Sequence, residues 1–277
     1  DFFTFYKKRT VYKDIKLVIF DKDGTIIDNT LMFGKWTSDL VVKMNKCFPG
    51  LLDINHKKIS IWKHLGYDHI NNVFDSNSVI AKGTNDDIRN AICDYIVNIR
   101  QLVICKTNED RIVVVDKIRQ SWFDIKIKKE NIKLCGNFGN IIDFLRMHKI
   151  KVAICTSDDR KPTEETLKIL DINTRRGKSI DYLVCGNDMI ESKPSPVPLL
   201  TICKKLGVEP QNAMMVGDTI ADVHAGINAK FGSIIAVLSG GYDNTNLSEA
   251  DKIIPNIDSL VKIFLDYNCN GKTECHL

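Results

Sequence analysis

The sequence predicts an α/β fold: a doubly wound parallel sheet, interrupted after its first strand by a mainly α-helical insertion. Three observations carry this. Six short, almost wholly apolar runs recur along the chain; amphipathic stretches at helical spacing lie between most of them; and about a hundred residues after the first run show helical periodicity with few strand-like runs. Apolar runs this short suit strands buried on both faces of a parallel sheet. Their alternation with helices implies crossover connections.

The strand candidates in order are Leu17–Phe20, Val152–Cys155, Tyr182–Cys185, Ala213–Val216, Ser233–Leu238 and Lys252–Ile254. Between them Ile141, Ile142, Leu145 and Met147–His148 mark one helix. Leu167, Ile169 and Leu170 mark another, opened by Pro162 in a favourable early position. Leu199, Leu200, Cys203 and Leu206 mark a third, closed by Gly207. In the insertion, Trp36, Leu40 and Met44 share one face, and Ile88, Ile92, Tyr95, Ile96 and Ile99 share another. Ile112, Val115, Ile118 and Trp122 make a third face, although Val113–Val115 also reads as a strand. The α/β part is expected over residues 1–30 and 131–277, and the helical insertion over 31–130.

At 277 residues the chain can bury a large core without disulfides or structural metals. Hydrophobic residues make up 44% and charged residues 27%, which excludes a chain disordered throughout, a collagen and a coiled coil. The longest apolar runs are too short to span a bilayer, so no membrane partner is expected. The net charge is +4, from 39 basic and 35 acidic residues in no dense block, so no nucleic-acid partner is expected either. Residues 31–130 hold 16 basic and 12 acidic side chains and the rest of the chain 23 of each, so the surplus sits in the insertion. It would favour an anionic substrate, or it is plain solvated lysine. Oligomeric state is not legible.

The nine cysteines are odd in number and form no CxxC pair. That usage predicts reduced, buried thiols in a reducing compartment: the cytoplasm, or an organelle after removal of a transit peptide. Cys269, Cys275 and His276 read as a frayed tail in preference to a metal site. The sequence starts at Asp1 rather than Met, so a trimmed or cleaved form is expected. Residues 1–10 lack a long apolar core and an A-x-A site, so no signal peptide is expected.

Four clusters follow or overlap strand ends, the edge where open α/β sheets bind ligands. In Asp21-Lys-Asp23-Gly24-Thr25 two carboxylates leave a hydrophobic strand two residues apart. They repel one another unless a cation or proton lies between them, and oxygen ligands argue for magnesium. A solvated Asp-x-Asp-Gly turn is the plain alternative. In Thr156-Ser157-Asp158-Asp159 a hydroxyl at a strand end can donate to a phosphate oxygen, or simply cap a helix. In Glu191-Ser-Lys193-Pro-Ser-Pro196 the prolines preclude helix and hold Lys193 stiffly, where its ammonium could offset phosphoryl charge. Alone, it reads as a surface lysine. In Gly217-Asp218-Thr219-Ile-Ala-Asp222 one carboxylate leaves a strand and a second lies one helical turn on. That suits a metal ligand and a supporting acid, or two acids complementing a helix dipole.

Taken together and in this order, the four clusters resemble the haloacid dehalogenase-like superfamily, over about Ile15–Thr30 and Lys133–Ile254. All four family motifs are matched in type and order. The position of the insertion is similar to the helical cap of the phosphoglycolate phosphatase and β-phosphoglucomutase branch. The resemblance implies a Rossmann-like core and phosphate-ester chemistry, because true haloacid dehalogenases lack an acid at the place of Asp23.

It also implies roles. Asp21 is expected to attack phosphorus and form an aspartyl-phosphate. Asp23 is expected to protonate the leaving oxygen and then deprotonate water. Magnesium is expected on Asp21, the main-chain carbonyl of Asp23 and Asp218, with Asp222 orienting Lys193 or a water. Gly24, Thr25, Thr156, Ser157 and Lys193 are expected around the substrate phosphate. The expected activity is a magnesium-dependent phosphatase for a small phosphorylated metabolite. A phosphosugar mutase and a non-catalytic binding or scaffold protein on this fold are the alternatives, the last weakened by the presence of Asp21 and Lys193. Lys35, Trp36, Lys63 and His64 are candidate specificity residues in the cap, though core and surface readings are preferred for all four.

Overall fold

A computed structural model describes residues 14–48, 60–71, 73–75, 78–82, 85–96, 108–123, 129–172, 179–240 and 247–270. In chain order the elements are β1 (Leu17–Phe20), α1 (Asn29–Cys47), α2 (Ile61–Leu65), β2 (Tyr67–Asp68), β3 (Val73–Phe74), α3 (Val79–Lys82), α4 (Asn85–Asp94) and α5 (Asn108–Phe123). Then follow α6 (Phe138–Met147), β4 (Lys151–Cys155), α7 (Arg160–Ile169), β5 (Tyr182–Val184), α8 (Val197–Leu206), β6 (Ala213–Gly217), α9 (Ile220–Asn228), β7 (Ser233–Val237), β8 (Lys252–Ile254) and α10 (Ser259–Asn270). The chain divides into two compact units, residues 1–28 with 134–277, and residues 29–133.

The first unit is built on a six-stranded sheet in the order β5-β4-β1-β6-β7-β8. Every pairing is parallel. From β1 the chain moves outward through β4 and β5, then returns to the other side of β1 for β6, β7 and β8. The switch point therefore flanks β1, where a doubly wound sheet opens its ligand crevice. Both faces are covered. On one, Leu17, Ile19, Ala153 and Met215 pack with Leu199 and Ile202 of α8 and Ala225 of α9. On the other, the rings of Phe20 and Phe138 meet edge to face with centroids 5.1 Å apart, and Phe144 of α6 tilts against Phe264 of α10 at 6.0 Å. Burial on both faces is why these strands are uninterrupted apolar runs.

All six strand expectations correspond to strands. The helices carry local corrections. In α6 Met147 points to solvent, and in α8 so does Leu200, whereas Ile202 is buried. Helix α7 opens at Arg160, two residues before Pro162, which sits in the first turn and so costs no helical hydrogen bond.

The second unit has its own core, in which Leu40, Val41 and Met44 of α1 meet Ile61, Leu65, Ile88, Ile92, Tyr95 and Ile96. Ile99 and the side chain of Trp122 lie outside the described residues. Residues 113–115 are helical, not a strand, and the buried face of α5 runs through Val114 and Ile118, with Ile112 61% exposed. The reason is angular: Val114 lies four residues from Ile118 and shares its face, whereas six residues carry Ile112 about 120° away. The two-residue antiparallel pairing of β2 with β3 was not legible as a strand pattern. No helix among the described residues is long and apolar enough to cross a membrane.

Candidate active site

Register places the site. Phe20, the last residue of β1, is level with Ile154 of β4 and Val216 of β6. The next residues, Asp21, Cys155–Thr156 and Gly217–Asp218, therefore emerge side by side. The Asp21 amide continues the ladder by donating to the Val216 carbonyl at 2.9 Å. Asp21, Thr156, Asp218 and Asp222 are all buried.

Lys193 reaches this group from the segment between β5 and α8. Its Nζ donates to Asp21 Oδ1 at 2.5 Å, Asp222 Oδ1 at 2.6 Å and the Cys155 carbonyl at 3.2 Å. Three hydrogens thus meet three acceptors. Asp222 also caps its own helix: its Oδ2 accepts from the Thr219 amide at 3.0 Å and the Thr219 hydroxyl at 2.6 Å. One oxygen of Asp222 thus contacts Lys193 while the other serves its helix terminus.

Asp218 Oδ1 accepts from the Thr25 hydroxyl at 3.0 Å, while Oδ2 is buried with no hydrogen-bond partner. A Cβ built on Gly24, whose φ is +78°, would come within 2.1 Å of that oxygen, and one on Gly240 within 1.9 Å. Only glycine permits both the left-handed conformation at Gly24 and this approach. One carboxylate oxygen each from Asp21, Asp218 and Asp222 lie within 4.8 Å of one another.

Burial pushes the Asp21 carboxyl up to about 7, against the pull of Lys193 and helped by Asp222 and Asp23. Burial, Asp21 and Asp222 also push Asp218 well above the ordinary carboxylate range. Burial disfavours the Lys193 ammonium, yet Asp21 and Asp222 more than reverse this and hold its pKa well above the usual lysine value. One cation therefore faces three acids, and the buried acceptor Asp218 Oδ2 is left over. A hard divalent cation fits that deficit, because it takes carboxylate oxygens and favours their charged forms. Since both Asp222 oxygens are taken by Lys193 and Thr219, Asp21 and Asp218 are the side chains that suit the ion.

Asp23 stands apart from this cluster, paired through Oδ1 with Lys22 at 2.5 Å. The Thr25 hydroxyl donates to Asp218 and so orients a carboxylate. One phosphate-site expectation changes. The Gly24 amide closes the turn on the Ile27 carbonyl at 2.7 Å. Thr156 is buried at the end of β4, its Oγ1 accepting from the Asp158 amide at 3.1 Å, and Ser157 follows it, half-buried.

Sequence reasoning missed Lys22, Asp158 as its partner, and the Ser239–Gly240 segment after β7, where the Ser239 hydroxyl donates to the Gly24 carbonyl at 2.7 Å. A lysine between two aspartates at a strand end was the available signal. In the helical unit, Lys35 pairs with Asp39, Trp36 packs on the core, and His64 bonds the Ala91 carbonyl at 3.0 Å. Lys63 is exposed. Cys275 and His276, and the side chain of Cys269, lie outside the described residues.

The family pattern of haloacid dehalogenase-like hydrolases matches residues 15–230. The chain belongs to that family. It is 36% identical over 157 residues to the phosphoglycolate phosphatase of Aquifex aeolicus (strain VF5), covering 54% of this chain and 71% of that protein. Among solved structures it resembles a predicted phosphoglycolate phosphatase from Haemophilus somnus 129pt, with TM-score 0.61, 20% identity and coverage of 90% of this chain and 98% of that one. It also resembles the β-phosphoglucomutase of Clostridium difficile, with TM-score 0.56, 17% identity and coverage of 92% and 98%. These are of the type that the sequence resembles. The chain is thus an enzyme of phosphatase-like type in a hydrolase family.

Proposed function

We propose that the protein is a magnesium-dependent phosphatase acting on a small phosphorylated metabolite through an aspartyl-phosphate on Asp21. The observation that supports this most is the buried Asp21–Lys193–Asp222 contact beside the unpartnered Asp218 Oδ2. A nucleophilic carboxylate is there held against a fixed cation, next to an acceptor that calls for a metal.

Asp21, Asp218 and the main-chain carbonyl of Asp23 would hold magnesium. When bound, the ion offsets the negative charge of the phosphoryl group and polarises its oxygens. The Lys193 ammonium holds Asp21 in place and adds positive charge on its other side. Asp21 forms a bond to phosphorus as the ester P–O bond breaks, and Asp23 gives its proton to the leaving oxygen. Water then attacks phosphorus, Asp23 takes a proton from it, and the bond to Asp21 breaks to release phosphate. Thr156 and Ser157 bind the phosphate oxygens. Asp222 keeps Lys193 in position from the helix that it caps.

The 29–133 unit carries none of the motif residues, and we assign substrate selection to it as a cap. The buried thiols of Cys155 and Cys185, both pushed up to about 12 by burial, suit a reducing compartment such as the cytoplasm.

Phosphate release from phosphoglycolate, sugar phosphates, nucleoside monophosphates, pyrophosphate and p-nitrophenyl phosphate, with magnesium and with excess chelator, tests the reading. Asp21→Asn should lose several orders of magnitude in turnover. Asp23→Asn should give a burst of nitrophenol followed by slow turnover. Full activity in chelator, or more than about a tenth of wild-type activity in Asp21→Asn, would refute it. Formation of an isomeric sugar phosphate without net phosphate would instead establish a mutase.

A further inference from the structure

Lys22 has no part in the mechanism above, yet it is the most deeply buried charge beside the site, with a side chain 0% exposed. Burying an ammonium costs several kcal/mol unless anions surround it. Methionine would fill a similar volume at no such cost. The anions are present: Nζ lies 2.5 Å from Asp23 Oδ1 and 3.1 Å from Asp158 Oδ2. Both carboxylates are partly exposed, at 17% and 16%, so the ammonium lies beneath two acids that reach the surface of the site.

Asp158 is a fixed anchor. Its amide donates to Thr156 Oγ1 at 3.1 Å, and its carbonyl accepts from the Gly186 amide at 2.8 Å. Lys22 thereby ties the loop after β1 to the loop after β4. It does so apart from Lys193, whose three bonds go to Asp21, Asp222 and Cys155. The bond from Lys22 is to Oδ1 of Asp23, which leaves Oδ2 for a leaving oxygen or a water.

We propose that Lys22 is a positioning residue that fixes the Asp23 carboxylate for proton transfer by bridging it to Asp158. This rests on the reading of Asp23 as acid and base. Without the ammonium, Asp23 loses the bridge that holds it, the two neighbouring carboxylates repel one another, and Asp23 leaves its place. Asp21 and Lys193 keep their contact, so attack on phosphorus survives where the leaving group needs no proton.

The test uses the full chain with magnesium and p-nitrophenyl phosphate under rapid mixing. Lys22→Met should keep a near-stoichiometric nitrophenol burst, while the steady rate falls about tenfold or more. Its KM should fall in step with the steady rate and leave kcat/KM within about threefold of wild type, because the slowed step is hydrolysis of the phosphoenzyme and not attack on the ester. Lys22→Arg should recover part of the rate. Lys22→Met with Asp158→Asn removes the repulsion but does not restore the tether, and should remain slow. Wild-type steady turnover in Lys22→Met, loss of its burst in a folded protein, or full rescue by the double variant would each overturn the proposal. So would failure of both the single and the double variant to fold, since Lys22 would then serve folding. A burst from Asp21→Asn would instead sink the underlying phosphatase reading, whatever Lys22 does.

Discussion

Lys193 and Asp21 are 172 residues apart in sequence, and their charged atoms are 2.5 Å apart in the folded chain. The contact sets the electrostatics of the whole site, because this ammonium also holds Asp222 and leaves Asp218 to other partners.

Lys193→Met leaves two buried carboxylates without their cation. Losing one partner of a buried ion pair costs about 3–5 kcal/mol. The variant should melt well below wild type in the absence of metal, and its phosphate release should fall by two orders of magnitude or more, because it lacks the charge that faces the phosphoryl group. Thermal melts and turnover on p-nitrophenyl phosphate check both. A variant as stable and as fast as wild type would show the contact to be incidental.

Asp218→Asn tests the metal without reference to any substrate. An amide can still accept from Thr25, but it is a poor ligand for a hard cation. A ligand that binds only the folded state raises stability, by about 2.7 kcal/mol at a hundred times its Kd. Magnesium should therefore raise the melting temperature of wild type and leave Asp218→Asn nearly unchanged. Equal shifts in the two proteins would place the ion elsewhere.

Without metal, stability should fall as pH rises. The Asp21 carboxyl moves from an ordinary 3.8 to about 7 on folding, chiefly through burial. Between those values the folded chain keeps a proton that the unfolded chain has released, so rising pH favours unfolding. Below 3.8 both states hold the proton, and above about 7 neither does, so the loss is complete there. Magnesium needs the deprotonated carboxylates, so its stabilising effect should grow over the same window. Melting curves from pH 4 to 8, with magnesium and with chelator, give the sign directly. A metal-free protein that gains stability through this range would contradict the assignment.

Gly24→Ala combines a left-handed backbone with a contact of 2.1 Å to Asp218 Oδ2. Gly207→Ala shares the first feature but meets nothing within 4 Å. Each should lose about 1–2 kcal/mol to the backbone. Only Gly24→Ala should also shift the magnesium concentration needed for half-maximal activity, upward by tenfold or more, because it displaces the carboxylate oxygen proposed to hold the ion. Magnesium titrations of the two variants separate the effects.

Much of this was present in one dimension. Strands buried on both faces have to be continuous apolar runs, so β1, β4, β5, β6, β7 and β8 declared themselves locally. Asp21, Thr156 and Asp218 stand just beyond strand ends, where side chains leave the sheet for its ligand edge, whereas Lys193 comes from the longer segment before α8. In α5 the apolar residues crowd more than one face, and only packing chose Val114 over Ile112 for the core.

What tertiary structure alone decided is which polar atom meets which. A sequence names donors and acceptors but not their separations, and hydrogen bonds and ion pairs are decided within tenths of an ångström. The parallel register of β4, β1 and β6 brings Thr25 to Asp218, so its hydroxyl supports a carboxylate. The same register buries Lys22 between Asp23 and Asp158, giving a purpose to a residue that the motif leaves open. It also strands Asp218 Oδ2 without a partner, since a buried acceptor is satisfied or orphaned only by its neighbours in three dimensions.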